Sequence, residues 1–92
     1  MSMNVKFFTQ TDNDLLFGEM IEEAPIPQFN WATSSRIINS PDPIQQCVDE
    51  MESLAVRFGS ENLYYNQSAI YEFLTWVEEK KNNKNKIFVD MF

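Results

Sequence analysis

Between Ser40 and Gly59 the sequence carries a complete helix, with its start, its stripe and its stop. Ile44, Cys47, Val48, Met51, Leu54, Ala55 and Phe58 recur at three- and four-residue intervals, the spacing that puts side chains on one helical face. Ser40-Pro41-Asp42-Pro43 supplies capping side chains and a proline for the first turn. Gly59 stands where a left-handed C-terminal cap is needed. A helix over about 43–58 spans roughly 24 Å at 1.5 Å per residue. Gln45, Gln46, Asp49, Glu50, Glu52, Ser53 and Arg57 fall on its other side. Such a one-sided helix has to be covered. With 92 residues in all, the cover belongs to a single small domain spanning 1–92 with one modest core.

The material for that cover lies on both sides. Asn4–Thr9 and Leu15–Met20 are rich in Val, Phe and Leu, and the turn-forming Gln10-Thr11-Asp12-Asn13-Asp14 lies between them. A β-hairpin is expected here, with a short helix over 14–23 as the alternative. Ala24-Pro25-Ile26-Pro27 stops either element and holds an extended linker. Residues 28–39 are ambiguous: Phe29, Trp31, Ile37 and Ile38 suit a core, and 33–38 fits a strand that Ser34 and Ser35 weaken. A second helix begins near Asn66 or Ser68, with Ile70, Phe73, Leu74 and Val77 as its covered stripe and Tyr71 and Trp76 flanking it. Lys80 and Lys81 fall in its last turn, where cations favour the helix dipole. After Asn82-Asn83-Lys84-Asn85, the alternation of Ile87, Val89 and Met91 against Phe88, Asp90 and Phe92 reads as a strand. The expectation is an α+β fold: a small antiparallel sheet, made of the N-terminal hairpin and the C-terminal strand, packed against two helices.

Composition narrows the chemistry. Hydrophobic residues are 43% of the chain, too many for a disordered one. No histidine is present, which removes the commonest general base and the His-dependent triads. Two glycines cannot build a Gly-rich phosphate loop, and one cysteine excludes an internal disulfide or a Cys-only zinc site. Cys47 sits on the apolar face of the long helix, a packing position with no cation beside it to activate the thiol. Asp12-Asn13-Asp14 begins like a calcium loop, but Leu16 and Phe17 stand where an oxygen ligand and a glycine are required. Glu78 with Glu79, or Asp49 with Glu52, reads as a solvated face rather than an acid–base pair. The expectation is a non-enzymatic protein with no catalytic residues, no cofactor and no metal.

Charge is the remaining signal. The chain carries a net −7, yet its last thirteen residues hold four lysines against one acid. No base occurs from residue 7 to 35, where Asp12, Asp14, Glu19, Glu22 and Glu23 lie; a second acidic group, Asp42, Asp49, Glu50 and Glu52, lies on the long helix. These groups serve either solubility or a basic partner, since an acidic surface attracts basic proteins and repels nucleic-acid phosphates. Asp12, Asp14, Glu22, Glu23, Asp49, Glu50 and Glu52 are therefore candidate partner-binding residues. Trp31 joins them as an aromatic anchor, with Tyr64, Tyr65 and Trp76 as further ones. Lys80, Lys81 and Lys84 (with Lys86) form a short basic strip. The first ten residues hold no apolar run suited to a signal peptide and no stretch spans a membrane, so a cytoplasmic, membrane-free protein that does not bind free DNA is expected.

The whole-chain profile is short, acidic, Phe- and Asn-rich and free of motifs, with one sharp amphipathic helix. In this it resembles the small phage-encoded anti-CRISPR proteins, including inhibitors of the type I-F surveillance complex. The resemblance implies stoichiometric binding to a ribonucleoprotein, Cas proteins with their guide RNA, and a block of target-DNA binding in an infected bacterial host. Those complexes line their DNA path with Lys and Arg, which an acidic protein can occupy, while the basic strip meets guide RNA or an acidic rim. Two other readings fit the same residues: an immunity protein or antitoxin neutralising a toxin, and a small structural adaptor subunit.

Overall fold

The computed structural model describes residues 3–13, 18–59 and 61–92. Its elements are β1 (Val5–Asn13), β2 (Gly18–Glu23), α1 (Trp31–Ile38), α2 (Pro43–Phe58), α3 (Gln67–Asn82) and β3 (Phe88–Met91). The strands form one antiparallel sheet in the order β2-β1-β3. The fold is α+β, as the sequence suggests, but among the described residues it has three helices rather than two.

The sheet is two-sided. Alternation along β1 sends Val5, Phe7 and Thr9 inward, all essentially buried, and Lys6, Phe8 and Gln10 outward. The helices cover the inner face. Phe7 meets Phe73 of α3 with ring centroids 5.2 Å apart. Val5, Phe7, Ile37, Cys47, Met51 and Phe73 form the most deeply buried part of the core. The Thr9 hydroxyl is buried with no hydrogen-bond partner among the described residues.

The hairpin exists, but its turn is displaced. Gln10–Asn13, expected as a turn, continue β1, with Thr11 opposite Met20 and Asn13 opposite Gly18. The connection falls on 14–17, outside the described residues. Pairing across a longer ladder overrides the local turn preference of Asp12 and Asn13.

Residues 33–38, weighed as a strand, lie in the helix α1. Asn30 caps it by accepting from the Thr33 N–H at 2.8 Å. Ser34, the residue that weakened the strand reading, is fully buried, and its hydroxyl accepts from the Val5 N–H at 3.2 Å. That bond joins the start of β1 to α1. Asn4 does the same for the linker, accepting from the Phe29 N–H at 3.0 Å.

Helix α2 keeps the bounds its sequence announces. Asp42 is the cap, accepting from the Gln45 N–H at 3.2 Å. The stripe is phased correctly in its middle, where Cys47, Val48, Met51 and Ala55 are buried and Ile44 and Leu54 are half-buried. Phe58 is not covered: more than half of it faces solvent. In α3, Leu74 is also more open than its spacing implies, while Trp76, read as a flank, is buried. Covering this helix along Ile70, Phe73, Trp76, Val77 and Lys80 turns its buried face toward Trp76 and away from Leu74.

Candidate protein-docking surface

The candidate acids among the described residues do not make one patch. Glu50 folds back onto α1. Its two oxygens accept from Arg36 Nε at 2.8 Å and Nη2 at 3.1 Å, a bidentate pair that the Gln46 amide supports at 3.2 Å. The Arg36 hydrogen bonds hold the Glu50 carboxyl below the usual carboxylate range, and the same contact raises Arg36.

Glu22 is also engaged. One of its oxygens accepts from Lys80 Nζ at 2.8 Å and the other from the Trp76 indole N–H at 3.2 Å. The Lys80 contact comes first among the causes that lower its pKa. The Lys80 side chain is only 9% exposed and its ammonium lies over the Trp76 ring at 5.8 Å. Lys80 therefore departs from the basic strip: its aliphatic stem packs along α3 and its charge faces inward to Glu22. Lys81 and Lys84 remain exposed. Glu23 sits 3.3 Å from Lys6. Asp12 is in β1 opposite Glu19 of β2, and Asp14 lies outside the described residues.

Asp49 and Glu52 stay open to solvent on α2 and form no ion pair among the described residues. The Gln45 amide donates to Asp49 at 3.0 Å and fixes it. Position 56 continues the Gln45–Asp49–Glu52 row at helical spacing. It is Val56, 87% exposed.

Val56, Phe58 and Leu63 are exposed apolar residues that the sequence reading did not place at an interface, near Tyr64, which it did. Phe58, Leu63 and Tyr64 are all more than half exposed, and Leu63 reaches 84%. The segment after α2 is held in shape by Asn62, whose side-chain oxygen accepts from the Tyr64 and Tyr65 N–H groups at 2.8 and 3.0 Å. Asn66 donates to the Asn62 carbonyl at 2.7 Å and caps α3 through the Ala69 N–H at 2.9 Å. Tyr65 anchors the group: its ring stacks on Phe58 at 6.0 Å, lies 6.3 Å from Phe29, and its hydroxyl donates to the Gln28 carbonyl at 2.9 Å. A shallow hollow of about 300 Å³ opens between Val56, Gly59 and Gln67. Trp31, the expected anchor, is exposed at the first position of α1. The signal available in sequence was Val56, an aliphatic residue on the polar side of α2 beside a run of Leu and Tyr.

Among the described residues, no cluster of three or more Asp, Glu or Cys is arranged to hold a metal ion. No described helix is long and apolar enough to cross a membrane. The chain matches no family model, no curated protein and no solved structure.

Proposed function

We propose that this protein is a non-enzymatic inhibitor that docks on a basic, nucleic-acid-handling protein through α2 and the segment that follows it. The observation that supports the reading is the set of exposed apolar side chains Val56, Phe58, Leu63 and Tyr64 at and after the end of α2, with the open carboxylate of Glu52 one helical turn before Val56. Exposed apolar clusters with a polar rim mark interaction sites. The negative rim selects a Lys- and Arg-bearing partner. The partner of this kind that the whole-chain resemblance suggests is a CRISPR surveillance complex, whose target-DNA path is basic.

The test is a target-DNA binding assay with a purified type I-F surveillance complex and increasing amounts of this protein. A stoichiometric loss of DNA binding is expected. The double variant Asp49→Lys with Glu52→Lys should lose the effect and slow association, and Val56→Ser with Leu63→Ser should speed dissociation. Affinity should fall as salt rises, since screening shortens electrostatic reach to about 8 Å at physiological ionic strength. Undisturbed DNA binding at a large excess of the protein would remove the surveillance complex as the target.

A further inference from the structure

The described helices lie against one face of the sheet and leave the other to solvent. Pairing of β1 with β3 sets Phe88 beside Phe8 and Asp90 beside Lys6 on that open face, and pairing with β2 adds Ile21 and Glu23. The ladder runs on to Phe92, which exchanges backbone hydrogen bonds with Asn4 at 2.9 Å. The Phe8 and Phe88 rings stack with centroids 5.6 Å apart, and Phe92 meets Phe8 edge-on at 6.1 Å. Phe92 is 58% exposed, Phe88 39% and Ile21 61%. A solvated sheet face is ordinarily polar, and an exposed apolar patch marks a contact surface. The charge of this face is negative. Glu23 lies opposite Phe8, Asp90 opposite Lys6, and the register carries the face on to the Asp12 and Glu19 positions, which oppose one another. Lys6, the base set against them, is already engaged: its ammonium is 3.3 Å from Glu23 and 5.4 Å from the centre of the Phe92 ring. Asp90 accepts from the Met91 N–H at 2.8 Å and forms no ion pair among the described residues.

We propose that this face docks an arginine-bearing segment of a protein partner, with guanidinium groups lying on the Phe88 and Phe92 rings and pairing with Asp90 and Glu23. Charge decides among the occupants. A negative face repels phosphate backbones and anionic lipid headgroups. A second copy would set the same carboxylates against one another, and like charges across an interface are unfavourable. A cationic protein segment complements both the carboxylates and the rings. The chain already holds one cation in this way, since Lys6 touches both the Glu23 carboxylate and the Phe92 ring. Asp90, flanked along its strand by Phe88 and Phe92, repeats the combination of carboxylate and ring with no ion-paired cation among the described residues. An extended segment with a base at every second residue matches the Phe88–Asp90–Phe92 alternation, because both have a period of two. Arginine is favoured over lysine because its planar guanidinium stacks on a ring while bonding a carboxylate through two N–H groups. The inference does not rest on the function proposed for α2, and a surveillance complex indifferent to this protein would leave it standing.

The experiment is a titration of the isotope-labelled full chain with a short peptide of alternating arginine and serine, read by backbone amide shifts and by anisotropy of the labelled peptide. The parallel probes are the lysine–serine peptide of equal length and charge, and oligothymidine. The largest shifts should fall on residues 6, 8, 23, 88, 90 and 92, and the arginine peptide should bind more tightly than the lysine one. Phe92→Leu keeps an apolar side chain but removes the ring. It should weaken arginine-peptide binding about two- to fivefold, the range for one cation–π contact at an exposed site, while Phe92→Tyr retains it. Asp90→Asn should weaken it as well, whereas Glu78→Gln, which removes an equal charge from α3, should bind as wild type does. Circular dichroism of each variant confirms that the sheet is kept. Equal binding of the two peptides overturns the stacking on the rings, and equal weakening by Asp90→Asn and Glu78→Gln overturns the pairing with Asp90. Largest shifts within residues 45–64 place the peptide on α2 and overturn the proposal. Shifts of the sheet-face amides caused by oligothymidine, or by raising the protein concentration alone, assign the face to nucleic acid or to a second copy and overturn it too.

Discussion

Cys47 lies on the covered face of α2 with its sulfur 4.0 Å from that of Met51. Burial, aided by the negative charge of Glu50, pushes the thiol up to about 12. Both access and ionisation are therefore denied to a thiol reagent at pH near 8. A disulfide-exchange reagent should leave the native protein unlabelled and modify its one cysteine in denaturant; rapid labelling of the native protein would contradict this burial. Four residues along, Met51 is fully buried while Leu54 is only half-buried. Met51→Ala should cost about 2–5 kcal/mol, by lost transfer energy plus the cavity. Leu54→Ala should cost clearly less, and Glu52→Ala about half a kcal/mol or below. Urea denaturation of the three variants checks the order, and equal costs for Met51 and Glu52 would mean a wrongly phased helix.

At the scale of elements, Gly59 shows what a stop signal does. It holds φ +86° and ψ 158°, a region that residues with a Cβ rarely enter, yet a Cβ added there meets nothing within 4 Å. Gly59→Ala should therefore destabilise through backbone strain alone, by about 1–3 kcal/mol. A thermal or urea midpoint equal to wild type would show that the segment relaxes. This helix was legible because its signals agree: stripe, cap and glycine all name the same ends. Helix α1 was not, because its evidence is tertiary. Thr33, Ile37 and Ile38 are β-branched and suit a strand locally. The helix's one local signal is the Asn30 cap, and the bond from the Val5 N–H to Ser34, twenty-nine residues away, is tertiary. The same holds for the candidate site. Asp49 and Glu52 could be placed on an open helical face from spacing, but no local pattern ties Glu22 to Lys80 across fifty-eight residues, or Phe8 to Phe88 across a sheet. Lys80 in the last turn looked like an exposed cation because dipole and spacing are local properties, whereas its partner is not.

For the molecule as a whole, the two engaged carboxylates set how it answers to acid. Glu22 and Glu50 both ionise more readily in the folded chain than carboxyls ordinarily do, so their ionised forms favour folding. That contribution is complete above the ordinary carboxyl value, about 4.3. It is lost as pH falls through the depressed folded values. The urea midpoint should hold steady from neutrality to about pH 5 and decline below it. Glu50→Gln should lower the neutral-pH midpoint and flatten the acid decline. A wild-type midpoint that rises on acidification would contradict the sign. Glu22→Ala should lower the melting temperature more than Lys80→Met does, because the first leaves a covered ammonium with only the longer 3.8 Å contact to Glu79. The reverse order would mean that the Lys80 stem, not the ion pair, fastens the hairpin to α3.

The central strand of the sheet is made of residues 5–13, and its neighbour on one side is made of residues 88–91. A ribosome delivers these partners at opposite ends of the synthesis of this region. Until residue 91 is clear of the exit tunnel, Val5, Phe7 and Phe8 have no β3 to pair with. The early strand must wait as an unpaired apolar edge, the kind of surface that chaperones hold and that aggregates when left alone. Expression at high translation load should therefore be limited by what happens to the hairpin before its last partner arrives.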